Sequence, residues 1–121
     1  MSSFTRSIHH VTRVNPYELC NIADLGDVNF LNPFELQQCF ADITDFYEKI
    51  CAAGAAPLSV GGDHSISLPI LRAVATEQPV GMVHMDAHTD MSDHEFGHKL
   101  THGTPFRRAV EEGLFIKLGT P

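Results

Sequence analysis

Two apolar runs with one helical period between them constrain this chain more than any other feature. "APLSV" at Ala56 to Val60 and "PVGMVHM" at Pro79 to Met85 have the length and content of buried strands. "LPILRAVA" at Leu68 to Ala75 reads as a helix, capped by Ser65 or Ser67 and tolerating Pro69 in its first turn. A strand, a helix and a strand in succession form a right-handed crossover that sets the strands parallel, with their carboxyl ends at one sheet edge. "GGDHS" at Gly61 to Ser65 leaves the first of those ends and "DAHTD" at Asp86 to Asp90 leaves the second. Open α/β sheets bind ligands along that edge, so His64 is expected beside Asp86, His88 and Asp90.

The spacing of the second motif sharpens the expectation. In extended chain, residues i, i+2 and i+4 share a face at steps of roughly 6.5 Å. Asp86, His88 and Asp90 can therefore surround ions, while Ala87 and Thr89 point away. Gly61 and Gly62 allow the backbone to turn tightly beside the site. Carboxylate mixed with imidazole suits Mn²⁺, Zn²⁺ or Fe²⁺ better than Ca²⁺, and no thiolate lies nearby to suggest a structural zinc site. His84 should lie on the same side but deeper, as a buried, hydrogen-bonded support. Asp63 is expected to accept from loop amides, and His94 and His98 to be solvated.

The remaining pattern extends the same architecture. Leu36, Phe40, Ile43, Tyr47 and Ile50 form one stripe of a helix over 33–53, with Asn32 as cap, Pro33 at the first position and Gly54 at the end. A third helix is predicted from Pro105 to Glu112, closed by Gly113, and a further strand from Leu114 to Leu118. "NIADLGDVNF" reads as a short strand and loop, and residues 1–21 as an irregular arm with a turn at "VNPYE". Helices alternating with strands predict an α/β fold with a mainly parallel sheet covered by helices. No linker divides the 121 residues, so one domain is expected.

With 43% hydrophobic residues the chain can build a core, and its formal charge of −7 disfavours nucleic acid and favours a cationic ligand or metal ions. Cys20, Cys39 and Cys51 form no CxxC pair and read as reduced, interior or half-buried thiols, which suggests a reducing compartment. The N-terminus has no apolar leader segment and no run is long enough to span a membrane, so a cytoplasmic location without membrane association is expected.

Taken together, "GGDHS", "DAHTD" and "LTHGTPFRRA" at Leu100 to Ala109 resemble the ureohydrolases, the arginase and agmatinase family. "ADLGDV" at Ala23 to Val28 and the last motif are most similar to the agmatinase and guanidino-acid hydrolase branch. The resemblance implies a three-layer αβα fold, two Mn²⁺ ions per site, and hydrolysis of a small cationic guanidino substrate to urea and an amine. It assigns His64 and Asp90 to one ion, His88 to the other and Asp86 to both. It gives His102 a proton-relay role, and implies a homo-oligomer for full-length members.

The resemblance also has gaps. The family's third metal motif, SxDxDxxDPxxxPG, does not occur before Pro121, and only the tail of its first strand precedes "SIHHVTRVNPYEL". Asp86 and Asp90 alone would oppose the charge of two ions, so at most one Mn²⁺ is expected here. The chain is thus read as a single partial domain over 1–121, with an arm at 1–21 and a core at 22–121. It would be an internal fragment, truncated product or pseudogene translation. The alternative to an agmatinase-like hydrolase is a non-catalytic remnant holding one divalent ion or none. A metal hydrolase of the deacetylase-like fold is a third reading, against which "GGDHS" and "HGTPF" both speak.

Overall fold

Helix α2 (Leu36–Ala52) forms where the apolar stripe is longest, and it buries Phe40 and Ile43 while Tyr47 and Ile50 are half-buried. The computed structural model describes residues 8–116, with α1 (Pro16–Leu19), α2, a 3₁₀ turn (His64–Ile66), α3 (Ser67–Val74) and α4 (Pro105–Glu111) in chain order. The start of α2 corrects the expected cap. Asn32 accepts from the Phe34 amide through its side chain at 3.2 Å and from the Glu35 amide through its carbonyl at 3.2 Å. Its short polar group is thus satisfied in a turn before the helix, which takes in Pro33 and leaves Glu35 at the cap with no side-chain bond. Gly54 closes the helix at φ +71, a conformation that favours glycine.

The short helix α3 is the centre of the packing. It lies against α2, α4 and the 3₁₀ turn, and its Leu68 joins Phe40 of α2 and Ala109 of α4 in one core, flanked by Leu71, Leu100, Leu114 and Phe115. The Thr44 hydroxyl of α2 lies 2.9 Å from the Phe40 carbonyl and 3.3 Å from that of Pro69 in α3. Arg72 of α3 grips Glu112 with two parallel bonds of 2.8 and 2.7 Å just beyond α4. Helix α4 starts on Pro105, as its missing N–H permits, and ends at Gly113 with φ +74. Arg108 of α4 is buried and donates to Asp93 at 2.9 Å and Glu111 at 3.1 Å.

Strand pairing departs from the expected sheet. Among the described residues one parallel bridge joins Val80 to Phe115, through bonds of 2.9 Å from the Val80 amide to Leu114 and 3.1 Å from the Ile116 amide to Val80. The predicted strands at 22–28 and 56–60, and the rest of 79–85, form no ladder there. Leu58, Val60, Val83 and Met85 are each more than 90% exposed. An apolar run identifies a segment suited to a sheet, but a ladder forms only where a neighbour takes its N–H and C=O groups and covers its face. Residues 117–121, with the end of the run at Leu114 to Leu118, lie outside the described residues.

The arm also gains one element, since Asn15 accepts from the Tyr17 amide at 3.2 Å and caps the single turn of α1. All three cysteines are free; Cys39 and Cys51 are half-buried as expected, whereas Cys20 is exposed because α1 buries none of its residues. Among the described residues no helix is long and apolar enough to cross a membrane.

Two predictions follow from this packing. Leu68→Ala should destabilise the chain by about 2–5 kcal/mol in urea unfolding, whereas Leu58→Ala should change it by about 0.5 kcal/mol or less. The Arg108 guanidinium beside Asp93 holds that carboxyl below its ordinary value. Because the folded state depresses the pKa, the small stabilisation is complete above the unfolded value of about 3.9 and is lost as pH falls through the folded one. In Arg108→Met the Asp93 carboxyl should titrate higher by NMR. An unchanged Asp93 titration would remove Arg108 as the cause.

Candidate metal centre

The site is assembled from two chain turns held on helices. Asp63 accepts from the Ser65 amide at 2.9 Å and also from the Ser65 hydroxyl, which sets the 3₁₀ turn beginning at His64. It is therefore Asp63, not either serine, that caps this end. Those two Ser65 donors, hydroxyl first, hold the Asp63 carboxyl below the usual carboxylate range, and the fields of His102 and His64 add to them. The second turn begins at Asp86, whose Oδ1 accepts from the His88 amide at 2.9 Å. Asp90 then reverses the chain at φ +49, a conformation that aspartate tolerates better than most residues. Its carbonyl receives the Phe106 amide at 3.2 Å, which fastens the turn to the start of α4.

These turns bring four donors together. His64, His84, Asp86 and Asp90 each offer one ligand atom, and the four atoms lie within 4.8 Å of one another. His64 Nδ1 contacts Asp90 Oδ2 directly and stands 3.7 Å from Asp86 Oδ2. His84 Nε2 lies 3.8 Å from the same Asp86 oxygen. The Asp90 side chain is 10% exposed, so one carboxylate of the group is nearly enclosed. The His88 amide, and after it the facing imidazoles of His64, His84 and His88, hold the Asp86 carboxyl below its ordinary value. The centre thus favours an ionised carboxylate among imidazoles.

Two expectations need correction. His88 does not continue an extended run from Asp86 to Asp90, because the Asp86 side chain captures its amide and bends the chain there. Its side chain is 82% exposed, with Nδ1 3.5 Å from Asp86 Oδ1, the carboxylate oxygen turned away from His64 and His84. His84, expected as a hydrogen-bonded support, instead has its Nε2 buried without a hydrogen-bond partner and stands within the donor group. The sequence reading gave its side and its depth, and only the expected hydrogen-bond partner is lacking.

His102 stands on a loop fixed by its neighbours. Glu95 and His98 pair through backbone bonds of 3.0 and 2.9 Å across a turn with Phe96 and Gly97 at positive φ. The Glu95 carboxylate accepts from the Thr101 hydroxyl at 2.6 Å and lies 3.9 Å from His102 Nε2. Thr104, fully buried, accepts the Thr101 amide at 3.0 Å and reaches the Lys99 carbonyl at 2.8 Å. A β-carbon on Gly103 would sit 2.1 Å from Glu95 Oε1, so this glycine makes room for the carboxylate. His102 itself is largely exposed, as are His94 and His98. The Glu95 contact had no signal in the sequence beyond the density of titratable residues.

The donor set fits a divalent transition metal. Two imidazoles with two carboxylates suit Mn²⁺, Fe²⁺ or Zn²⁺, and the separations of 3.7 and 3.8 Å around Asp86 Oδ2 are close to those between ligands sharing one ion. The orphaned, buried Nε2 of His84 is the kind of polar atom such an ion would satisfy.

Residues 2–118 match the arginase family. The chain is 53% identical over 121 residues to a guanidinopropionase of Pseudomonas aeruginosa, covering 99% of this chain and 38% of that protein. It is 50% identical over 114 residues to the mitochondrial agmatinase of Gallus gallus, covering 93% and 33%. It is also 50% identical over 109 residues to the mitochondrial guanidino acid hydrolase of Homo sapiens, covering 89% and 31%. The solved proclavaminate amidino hydrolase of Streptomyces clavuligerus superposes with a TM-score of 0.81 at 35% identity, over 90% of this chain and 36% of that one. The chain therefore spans roughly a third of the length of these relatives, and shares their α/β fold class.

Gly103→Ala should push Glu95 away from Thr101 and destabilise the loop by about 1–3 kcal/mol, seen as faster amide exchange at Glu95 and His98. Gly81→Ala, where a β-carbon meets nothing within 4 Å, should leave exchange there unchanged.

Proposed function

The chain belongs to the arginase family, and from that membership we propose that its donor group is the metal centre of a manganese-dependent ureohydrolase acting on a linear guanidino compound. The observation that carries this reading is the convergence of His64, Asp86 and Asp90 from two separate turns, with His88 against the second oxygen of Asp86. His64, Asp86 and Asp90 would hold one ion, and His88 with the outer Asp86 oxygen would contribute to a second. Bound there, divalent ions supply a water acidic enough to act as nucleophile at neutral pH. Overall, water and the guanidino compound give urea and the free amine.

The chain's own residues divide the remaining work. The negative net charge and the ionised Asp86 favour a cationic guanidinium. His102, whose Nε2 faces the Glu95 carboxylate, would move the proton that the departing amine requires. Agmatine and guanidino acids both fit the relatives' names, and the parallel three-layer sheet and homo-oligomeric assembly of the full-length family belong to the same reading. The exposed apolar residues Leu58, Val60, Val83 and Met85 suit a chain whose faces are covered by further protein.

A second reading is favoured by one observation. The described donors form a single group, while His88 stands apart at 82% exposure. A chain with that arrangement could hold one ion without hydrolysing anything. Calorimetric titration with Mn²⁺, run beside urea release from agmatine, 3-guanidinopropionate and 4-guanidinobutyrate, separates the two. The hydrolase reading expects bound Mn²⁺ and metal-dependent urea from at least one compound. Asp86→Asn should weaken Mn²⁺ binding by about tenfold or more, since losing even a group that merely supports a ligand costs about that. Bound Mn²⁺ with no urea supports the second reading, and no Mn²⁺ binding sinks the metal centre itself.

A further inference from the structure

We propose that Glu95 is the positioning residue for His102: its carboxylate holds the ring proton on Nε2 and so leaves Nδ1 to pass a proton to the departing amine. The inference rests on reading His102 as the group that moves this proton in a ureohydrolase, and goes beyond it in naming what orients the imidazole. Three observations support it. First, among the described residues Glu95 is the carboxylate that pairs with His102, with Oε2 3.9 Å from Nε2. That separation is too long for a hydrogen bond but within reach of an ion pair, and such contacts commonly tighten only when substrate is bound. An ionised carboxylate can only accept, so the nitrogen that faces it carries the proton of the neutral ring.

Second, the carboxylate is fixed independently of the imidazole. The same Oε2 accepts from the Thr101 hydroxyl at 2.6 Å, and Oε1 occupies the space that a β-carbon on Gly103 would need. Both neighbours of His102 therefore hold Glu95 in place, one by donating to it and the other by having no side chain. The backbone of Glu95 is paired with that of His98, and the Ser92 amide donates to the Gly103 carbonyl at 3.1 Å, so the two ends of the loop are tied as well. Third, the exposures differ in the direction the role requires. The Glu95 side chain is 26% exposed and that of His102 is 66% exposed. A ring so open owes its orientation to its polar partner rather than to packing, and water can reach it to restore a proton. As the C–N bond breaks, its electron pair passes to the amine nitrogen, which takes the Nδ1 proton of the imidazolium. The neutral ring is left with its other proton on Nε2, toward Glu95.

The test reads the tautomer first, without metal, by ¹⁵N NMR of the histidine-labelled 121-residue chain at a pH where the rings are neutral. The ratio of the Nε2–H to the Nδ1–H form at His102 should exceed that at the exposed His94 by about threefold or more, and should fall to the His94 value in Glu95→Gln. Unchanged amide exchange at His98 checks that the loop of Glu95→Gln is intact; if it is not, the comparison of His102 with His94 in the unsubstituted chain decides alone. Urea release with Mn²⁺ is the second readout. Glu95→Gln should lower kcat about tenfold or more with KM little changed, and should lower it less than about twofold in a His102→Asn background. A His102 ratio equal to that of His94, or an equal loss of kcat in both backgrounds, would overturn the proposal and leave the hydrolase reading standing. A biased tautomer with no urea from any form would sink the hydrolase reading and the proposal with it.

Discussion

Phe106 ties the interior of this chain to its chemistry, because one buried ring serves both. It stands in the first turn of α4, packs edge-on against His64 with centroids 5.3 Å apart, and meets His84 at 4.4 Å. Its amide holds the Asp90 carbonyl, and its ring lies 6.5 Å from Phe115, which flanks the core of Phe40, Leu68 and Ala109. Three of the four donors are therefore positioned by one residue, two histidines through its ring and Asp90 through its backbone amide.

Asp86 plays the corresponding part in the electrostatics. Its Oδ2 is shared between the imidazoles of His64 and His84, and its Oδ1 is bonded by the His88 amide and approached by the His88 ring. An acceptor-only carboxylate surrounded by these groups is stabilised in its ionised form, which is the form a metal ion requires. The same side chain thus turns the backbone, sets His88 apart from the other donors and supplies charge at the centre. Asp63 does similar work one turn away, spending its carboxylate on the Ser65 amide and hydroxyl so that His64 is presented at the start of the 3₁₀ turn.

Much of this was legible in the chain, and what was not has definite physical causes. The stripe Leu36, Phe40, Ile43, Tyr47 and Ile50 located α2, and Pro105 with Gly113 located α4, because helix formation is governed by local period and end residues. Asn32 misled about the start of α2 because the same side chain that caps a helix also closes a turn. The meeting of His64 with Asp86 and Asp90 followed from the order of strand, helix and strand, even though the pairing between those strands is not formed among the described residues. The position of His88 was missed because strict alternation assumes straight chain, and Asp86 bends it. The side and depth of His84 were legible, but its packing on Phe106 was not, because period alone does not reveal a contact with a residue twenty-two positions later.

The contrast between His84 and His88 divides the centre into a rigid side and a loose one. His64 begins the turn that leads into α3, Asp90 is fastened to α4, and His84 is packed on Phe106, so this side inherits the stability of the helical core. His88 depends on a segment whose Val83 and Met85 are exposed and whose one bridge, at Val80, lies eight residues before it. A ligand gains affinity from preorganisation only where its support is rigid. The helical core therefore preorganises the His64, His84 and Asp90 side of the donor group, whereas the place of His88 depends on whatever covers the exposed faces of its segment.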